Sequence, residues 1–261
     1  MHLSQLFNYP IKSCGANSLQ TAEATLRGLA FDREWMLADD TGNFITGRKF
    51  PQMVQLHVEP TATGICITAP DMEPLEVHRQ AYTMVRPTGV WKYEFDAYWG
   101  DGQADDWFSF FLGIEARLLY IGEQSNRQLR IDPSIRFSFA DGYPYLLIGE
   151  GSLNDLNSRL AHPVSIRNFR PNLVIAGCDP FAEDGWKRIR IGDVEFEHIK
   201  SCERCIFTTI DPDSGNMSDD RQPLATLAEY RRTDAGIIFG QNLVARTTGT
   251  LRVGDEVVVL A

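Results

Sequence analysis

The sequence contains no apolar run approaching the roughly 18 residues that a membrane-crossing helix requires, so no membrane span is expected. Its opening, Met1-His2-Leu3-Ser4-Gln5, lacks the basic patch and apolar block of a secretory leader. Excess positive charge is also missing. Twenty-five Lys and Arg stand against 35 Asp and Glu, for a net charge of −10. That balance excludes a general binder of nucleic acid or of acidic membranes, since phosphate contacts need a basic surface. A small anionic ligand stays open if cations gather locally. Cysteine is sparse and odd in number, at positions 14, 66, 178, 202 and 205. A disulfide framework is not expected, and a reducing cytoplasm is. There is no low-complexity linker and no internal repeat.

With 261 residues, 43% of them hydrophobic, the chain can bury a large core in one large domain or two closely packed ones. Much of it reads as β. Residues 190–199 alternate across Val194, Phe196 and His198, the period of a half-buried strand. Cys205 to Ile210 is rich in Ile, Phe and Thr and stops at the turn cluster Asp211-Pro212-Asp213-Ser214-Gly215. Near the C-terminus, two short strands flank Gly254-Asp255. Helices are fewer. Ala104 to Leu112 turns Trp107, Phe108 and Phe111 to a core. Ser152 to Leu160 spaces Leu153, Leu156 and Leu160 helically, with Ser152 as N-cap. Leu224, Leu227 and Tyr230 mark a third helix after Pro223. The polar stretch 122–140, with Gln124, Ser125, Asn126, Arg127, Gln128 and Arg130, reads as a long loop or a join. The fold class expected is α+β, dominated by antiparallel sheet and containing a barrel.

Cys202-Glu203-Arg204-Cys205 is the sharpest chemical feature. Structural zinc would need four ligands, and only His198 lies nearby, with no second cysteine cluster. A thioredoxin-like dithiol would open a helix, whereas a β-like Ile206-Phe207-Thr208-Thr209-Ile210 follows here. A single thiolate could instead ligate a soft metal, with Arg204 beside it favouring the ionised form. Two buried cysteines acting as small hydrophobes are the plain alternative. On these residues alone, ligand and core both stay open. The cations are less scattered than they look. Lys12, Arg33, Arg48, Lys49, Arg167 and Arg170 sit beside turn-formers or aromatics, as loop residues at strand ends do. If they converge they form an anion site, and spacing alone does not show convergence.

The ordered motifs resemble a known family. Tyr9-Pro10-Ile11-Lys12-Ser13-Cys14, Asp32-Arg33-Glu34-Trp35 and Thr46-Gly47-Arg48-Lys49-Phe50-Pro51 are similar to the N-terminal β-barrel segment of MOSC proteins. Phe169-Arg170-Pro171-Asn172, Glu183-Asp184-Gly185-Trp186, Cys202-Glu203-Arg204-Cys205, Thr208-Thr209-Ile210-Asp211-Pro212, Phe239-Gly240-Gln241-Asn242 and Val253-Gly254-Asp255 resemble the MOSC domain itself. The nearest resemblance is to the amidoxime-reducing components and their bacterial counterparts. Molybdenum cofactor sulfurases are more distant. The resemblance runs from about residue 5 to the end.

The resemblance implies an N-terminal MOSC-type β-barrel over residues 1–121 packed intimately on a MOSC β-barrel over 122–261, with a few helices. It implies a molybdenum–molybdopterin cofactor, with Cys205 as metal ligand and catalytic residue. Lys12, Ser13 and Arg33 match residues that hold the pterin and its phosphate. Arg170 and Asn172 match a further binding pair, and Asp141-Gly142-Tyr143 a pterin-contacting loop whose sequence match is poorer. The chemistry agrees. Lys and Arg suit a phosphate, and Asn and backbone groups suit a pterin edge. One protein thiolate added to two dithiolene sulfurs leaves the metal open to oxygen ligands. Cys202 is read as packing and Asp211 as a plain turn, while Asn242 is left open. The implied activity is reduction of N-hydroxylated compounds, such as amidoximes or N-hydroxylated bases. Some relatives carry a C-terminal iron–sulfur domain. No cysteine follows Cys205 in this sequence to supply the four that such a C-terminal cluster needs, so a separate ferredoxin or flavoprotein donor is expected. The alternatives are a sulfur or cofactor carrier using a persulfide or thiolate on Cys205, and a non-catalytic β-barrel binding module.

Overall fold

Strands dominate the computed structural model, which describes residues 1–122 and 125–261. The chain is α+β and mostly β, with three α-helices among the described residues. Its largest sheet has nine strands. The path runs Asn17–Leu19, His2–Asn8, Leu173–Ala176, Tyr145–Gly149, Gly236–Ala245, Val194–Glu203, Arg188–Ile191 and Val257–Val259, with Arg232–Thr233 to one side. The barrels expected from the sequence are not closed ladders, because each sheet is an open path. In the large sheet a single bridge, His2 opposite Glu256, links the second strand of the path to the residue just before its last strand. A four-stranded sheet joins Trp35–Ala38, Arg117–Tyr120, Tyr93–Trp99 and Met84–Val90.

The chain's first strand belongs to the far half of the sequence. His2–Asn8 pairs antiparallel with Leu173–Ala176, and Thr21–Thr25 pairs with Gly249–Arg252. Leu3, Leu6 and Leu29 therefore share a core with Leu147, Leu173, Phe196 and Leu251. A second core packs Trp35, Leu37, Ile67 and Leu118 under helix α1, Gly102–Leu112. Phe108 of α1 is buried there, and Trp107 and Phe111 are partly buried, as their spacing predicts. Asp101 caps α1 by accepting from the Gln103 and Ala104 amides, and Gly113 ends it in left-handed conformation. Tyr145–Gly149 and Leu173–Ala176 run parallel, with helix α2, Glu150–Ser158, in the crossover. Every residue of both strands is buried, as a covered parallel pair requires. Helix α3, Leu224–Tyr230, follows Pro223 as expected. No helix among the described residues is long and apolar enough to cross a membrane.

Several local expectations are corrected. Residues 190–199 are not one strand. The chain turns at Gly192, φ 54°, between Arg188–Ile191 and Val194–Glu203. Alternation survives a hairpin turn, so the pattern hid the break. The two C-terminal strands do not pair with each other. Gly249–Arg252 joins Thr21–Thr25, and Val257–Val259 joins Arg188–Ile191. Ser152 is not the α2 cap, since Gly149 holds that position. Ser152 is buried inside the helix and donates to Oε1 of buried Glu183 at 2.7 Å, a carboxylate demand that outweighs capping. Of the polar stretch read as a join, Gln124 lies outside the described residues. Much of the rest is a hairpin of Gln128–Leu129 with Asp132–Arg136.

Candidate functional site

Loop and strand residues from both halves of the chain line a cavity of about 530 Å3. All nine residues singled out from the sequence line it: Lys12, Ser13, Arg33, Asp141, Gly142, Tyr143, Arg170, Asn172 and Cys205. Seven cations and two carboxylates stand in its wall, a positive focus inside an acidic protein. Arg48 joins this wall. Lys49 and Arg167 do not, and Arg167 pairs with Asp213 at 2.8 Å.

The backbone is strained where these side chains enter. Eight described non-glycine residues have positive φ, and four line the cavity: Ser13 (71°), Arg33 (50°), Trp91 (58°) and Arg170 (56°). Each such residue costs roughly 1–2 kcal/mol and persists only where its surroundings hold it. Tyr9 is the common support. Its ring lies under the Arg33 guanidinium at 4.4 Å and the Arg170 guanidinium at 4.1 Å. Its hydroxyl donates to the Pro171 carbonyl at 3.0 Å. Buried Asp32 accepts from the Tyr9 amide at 2.9 Å and from Arg33 at 2.6 Å, fixing Arg33 against the ring. Asn172 is largely spent on structure. Its amide donates to the Phe7 carbonyl and its oxygen accepts from Leu146 N and Arg33. Arg170 donates to the Cys14 carbonyl at 2.6 Å, while its Nη2 is buried without a partner. Burial, reinforced by the Arg33 cation, lowers the Arg170 pKa to about 10, so it stays charged at neutral pH.

Lys12 is buried, and its ammonium donates to the Phe139 carbonyl at 2.9 Å and to Asp141 at 2.6 Å. Burial lowers its pKa to about 8 although Asp141 opposes the shift. Desolvation pushes the Asp141 carboxyl up, but Lys12 and the Trp91 hydrogen bond together outweigh it and hold Asp141 below the usual carboxylate range. Its side chain keeps 67% of its surface open, so water screens part of this pairing. Behind the same loop lies Arg127, fully buried, stacked on Phe137 at 4.1 Å and donating to the Ser138 carbonyl.

The cysteine segment departs from its sequence reading. Residues 205–210 are not a strand. Ile206–Thr209 is a 3-10 turn that starts at Cys205. Thr208 and Thr209 hydroxyls donate to the Cys205 and Ile206 carbonyls, a local bond that competes with strand pairing. The turn is clamped by Asn168, whose amide donates to the Thr208 and Ile210 carbonyls at 3.1 and 3.0 Å. Cys205 is half-buried on the cavity wall, and its thiol has no hydrogen-bond partner among the described residues. Arg204 turns away from it, donating to Cys202 Sγ at 2.8 Å and to the Phe169 carbonyl. Cys202 packs only in part, since its sulfur also accepts the Arg204 bond. The ladder slips between Ser201 and Glu203, and Cys202 lies at this bulge, half-buried on the same wall as Cys205. No group of three or more His, Cys, Asp or Glu among the described residues could hold a metal, so the zinc reading has no cage. Asp211 makes the expected turn, accepting from the Ser214 amide at 2.7 Å, and Asn242 lines the cavity.

Sequence reasoning missed Tyr9 and Asp32 as supports, though both lie within quoted motifs. It did not single out Trp91, and it read Arg127 only as part of a polar loop or join.

The MOSC N-terminal beta barrel domain matches residues 1–115, and the MOSC domain matches residues 134–258. The chain is 36% identical to the mitochondrial amidoxime-reducing component 1 of Mus musculus, over 99% of this chain and 82% of that protein. It is 34% identical to the mitochondrial amidoxime reducing component 2 of Bos taurus, over 98% of this chain and 82% of that one. Among solved structures, the YUAD protein from Bacillus subtilis is similar with a TM-score of 0.46 at 10% identity, covering 98% of this chain and 92% of that one.

Proposed function

The chain belongs to the MOSC-domain family that includes the mitochondrial amidoxime-reducing components, and on that premise we propose that it is a molybdenum cofactor-binding reductase of N-hydroxylated compounds. One observation carries the reading: an unpartnered thiol, Cys205, shares a cavity wall with seven cations. The residues fit a phosphate-bearing pterin. Arg170 Nη2 and Arg204 Nε are buried polar atoms with no partner, as donors awaiting an anion would be. The volume lies within the roughly 300–1,000 Å3 of small-molecule sites.

Cys205 would be the protein's ligand to molybdenum. Lys12, Arg33 and Arg170 would hold the phosphate, with Asp32 and Asn172 keeping Arg33 in place. Ser13 and the Asp141-Gly142-Tyr143 loop would meet the pterin edge. When bound, the cofactor supplies two-electron chemistry and oxygen transfer from the N-hydroxyl group. The buried guanidiniums keep their charge at neutral pH and so pair with phosphate throughout turnover. Electrons would come from a separate ferredoxin or flavoprotein. A reducing compartment such as the cytoplasm suits a free reactive thiol.

The test compares wild type with Cys205→Ser, both made in a cofactor-sufficient host. Molybdenum content should fall sharply in the variant, with an unchanged circular dichroism spectrum. Wild type should reduce benzamidoxime with an artificial electron donor. Equal molybdenum in both proteins sinks the ligand assignment. A persulfide on Cys205 with cofactor transfer but no turnover would replace the reductase by a carrier.

A further inference from the structure

Cavity cations differ in what already occupies them. Lys12 is bound to Asp141, Arg33 to Asp32, Arg170 to the Cys14 carbonyl, and Lys200 to Glu203 at 2.5 Å. Arg48 is different. Its guanidinium has no hydrogen-bond or acidic partner among the described residues, although it lines the same wall. It stacks on Trp91, 4.3 Å from the ring. A stacked guanidinium leaves its N–H groups free in the plane, the arrangement that meets a carboxylate with two parallel bonds.

The stack is held in place from behind. Trp91 Nε1 donates to Asp141 at 2.8 Å, and Phe44 meets the ring edge-on at 4.9 Å. The left-handed backbone at Trp91, φ 58°, sets the indole at the cavity wall, with 48% of the residue still exposed. An unpaired cation and a half-open aromatic ring thus stand together where a planar molecule would enter. Asp141 makes no hydrogen bond or ion pair with Arg48 among the described residues, and Lys12 and Trp91 both donate to its Oδ1.

From this juxtaposition we infer that Arg48, braced on Trp91, is a specificity-determining residue that selects planar N-hydroxylated substrates carrying a carboxylate. The inference rests on the reductase reading above and names its substrate class. Its test pairs 4-carboxybenzamidoxime with neutral benzamidoxime, using cofactor-loaded protein. Equilibrium binding is measured by calorimetry without reductant, and kcat/KM with an artificial donor.

Wild type should prefer the carboxylated compound by about tenfold in Kd and in kcat/KM, the size of one charge-assisted hydrogen bond. Arg48→Gln should erase that preference, with an unchanged circular dichroism spectrum and molybdenum content reporting an intact fold and site. Arg48→Lys should keep part of it, because the charge remains and the fork is lost. An unchanged ratio in Arg48→Gln overturns the proposal, as does a wild type with no preference. Loss of molybdenum from Arg48→Gln with the ratio intact would assign Arg48 to the cofactor and likewise overturn it. A binding preference without turnover of either compound would support Arg48 as the selector and reject the reductase reading.

Discussion

Lys12 holds its ammonium inside the protein, where a charged lysine is costly. Its folded pKa, about 8, lies below the ordinary 10.5. Between those values the unfolded chain binds the proton more tightly, so stability from this group rises as pH climbs from about 8 to 10.5, and the penalty is full below 8. Integrated over that window, the gain is on the order of 3 kcal/mol. Anion affinity moves the other way, because the same rise removes the charge. Binding of inorganic phosphate to cofactor-free protein should therefore weaken as pH passes through 8, measured by calorimetry. Lys12→Met should bind phosphate weakly at every pH and melt above wild type at pH 7, with the gap between the two closing as pH rises from about 8 toward 10.5. Phosphate binding that stays level across pH 7–9 would exclude Lys12 from the anion site. Such an exchange of stability for binding is usual where a site needs a buried charge.

The 3-10 turn after Cys205 is the element on which the proposed chemistry depends. It leans on its neighbours: Asn168 from the 3-10 helix Ile166–Phe169, and its own Phe207 packed against Gly47. Gly47 makes that packing possible. A methyl there would lie 2.6 Å from Phe207 Cε2 and 3.2 Å from Ser13 Cβ. Gly47→Ala should force Phe207 aside and cost about 1–3 kcal/mol, read from denaturant midpoints. Molybdenum retention should fall with it, since the displaced turn begins at Cys205. A variant as stable as wild type would mean the turn is held without Phe207. Sequence reasoning read this segment as a strand because Ile, Phe and Thr favour strands. It could not see that two threonine hydroxyls find closer acceptors within the turn.

At the scale of the molecule, both halves of the sequence build one sheet. His2–Asn8 lies between Asn17–Leu19 and Leu173–Ala176, so a fragment starting at residue 122 lacks an internal strand. It would expose the Leu173–Ala176 edge and the core that Leu3 and Leu6 fill. Residues 122–261 produced alone should therefore show poor amide dispersion by NMR and no sharp thermal transition. The full chain should melt in one step. A fragment that melts cooperatively by itself would show that the strand is an accessory. The same interlocking brings the cavity together. Its lining includes loop residues near positions 12, 33, 48, 91, 141, 170 and 205, drawn from both halves of the sequence.

The sequence by itself determined the class of fold, the family, and the identity of the thiol and of most of the charged residues around it. Those are legible because alternation, turn residues and motif order are local properties of the chain. Tertiary structure alone decided that Lys12, Arg33, Arg48 and Arg170 converge while Lys49 and Arg167 do not, because strand pairing between distant segments sets which loops meet. It also decided that Cys202 opens onto the cavity, through a slip in a ladder whose partner strand lies some forty residues away. Finally it enlisted Trp91 and Arg127, whose roles arise from left-handed backbone and burial, and neither property can be read from a residue's neighbours in sequence.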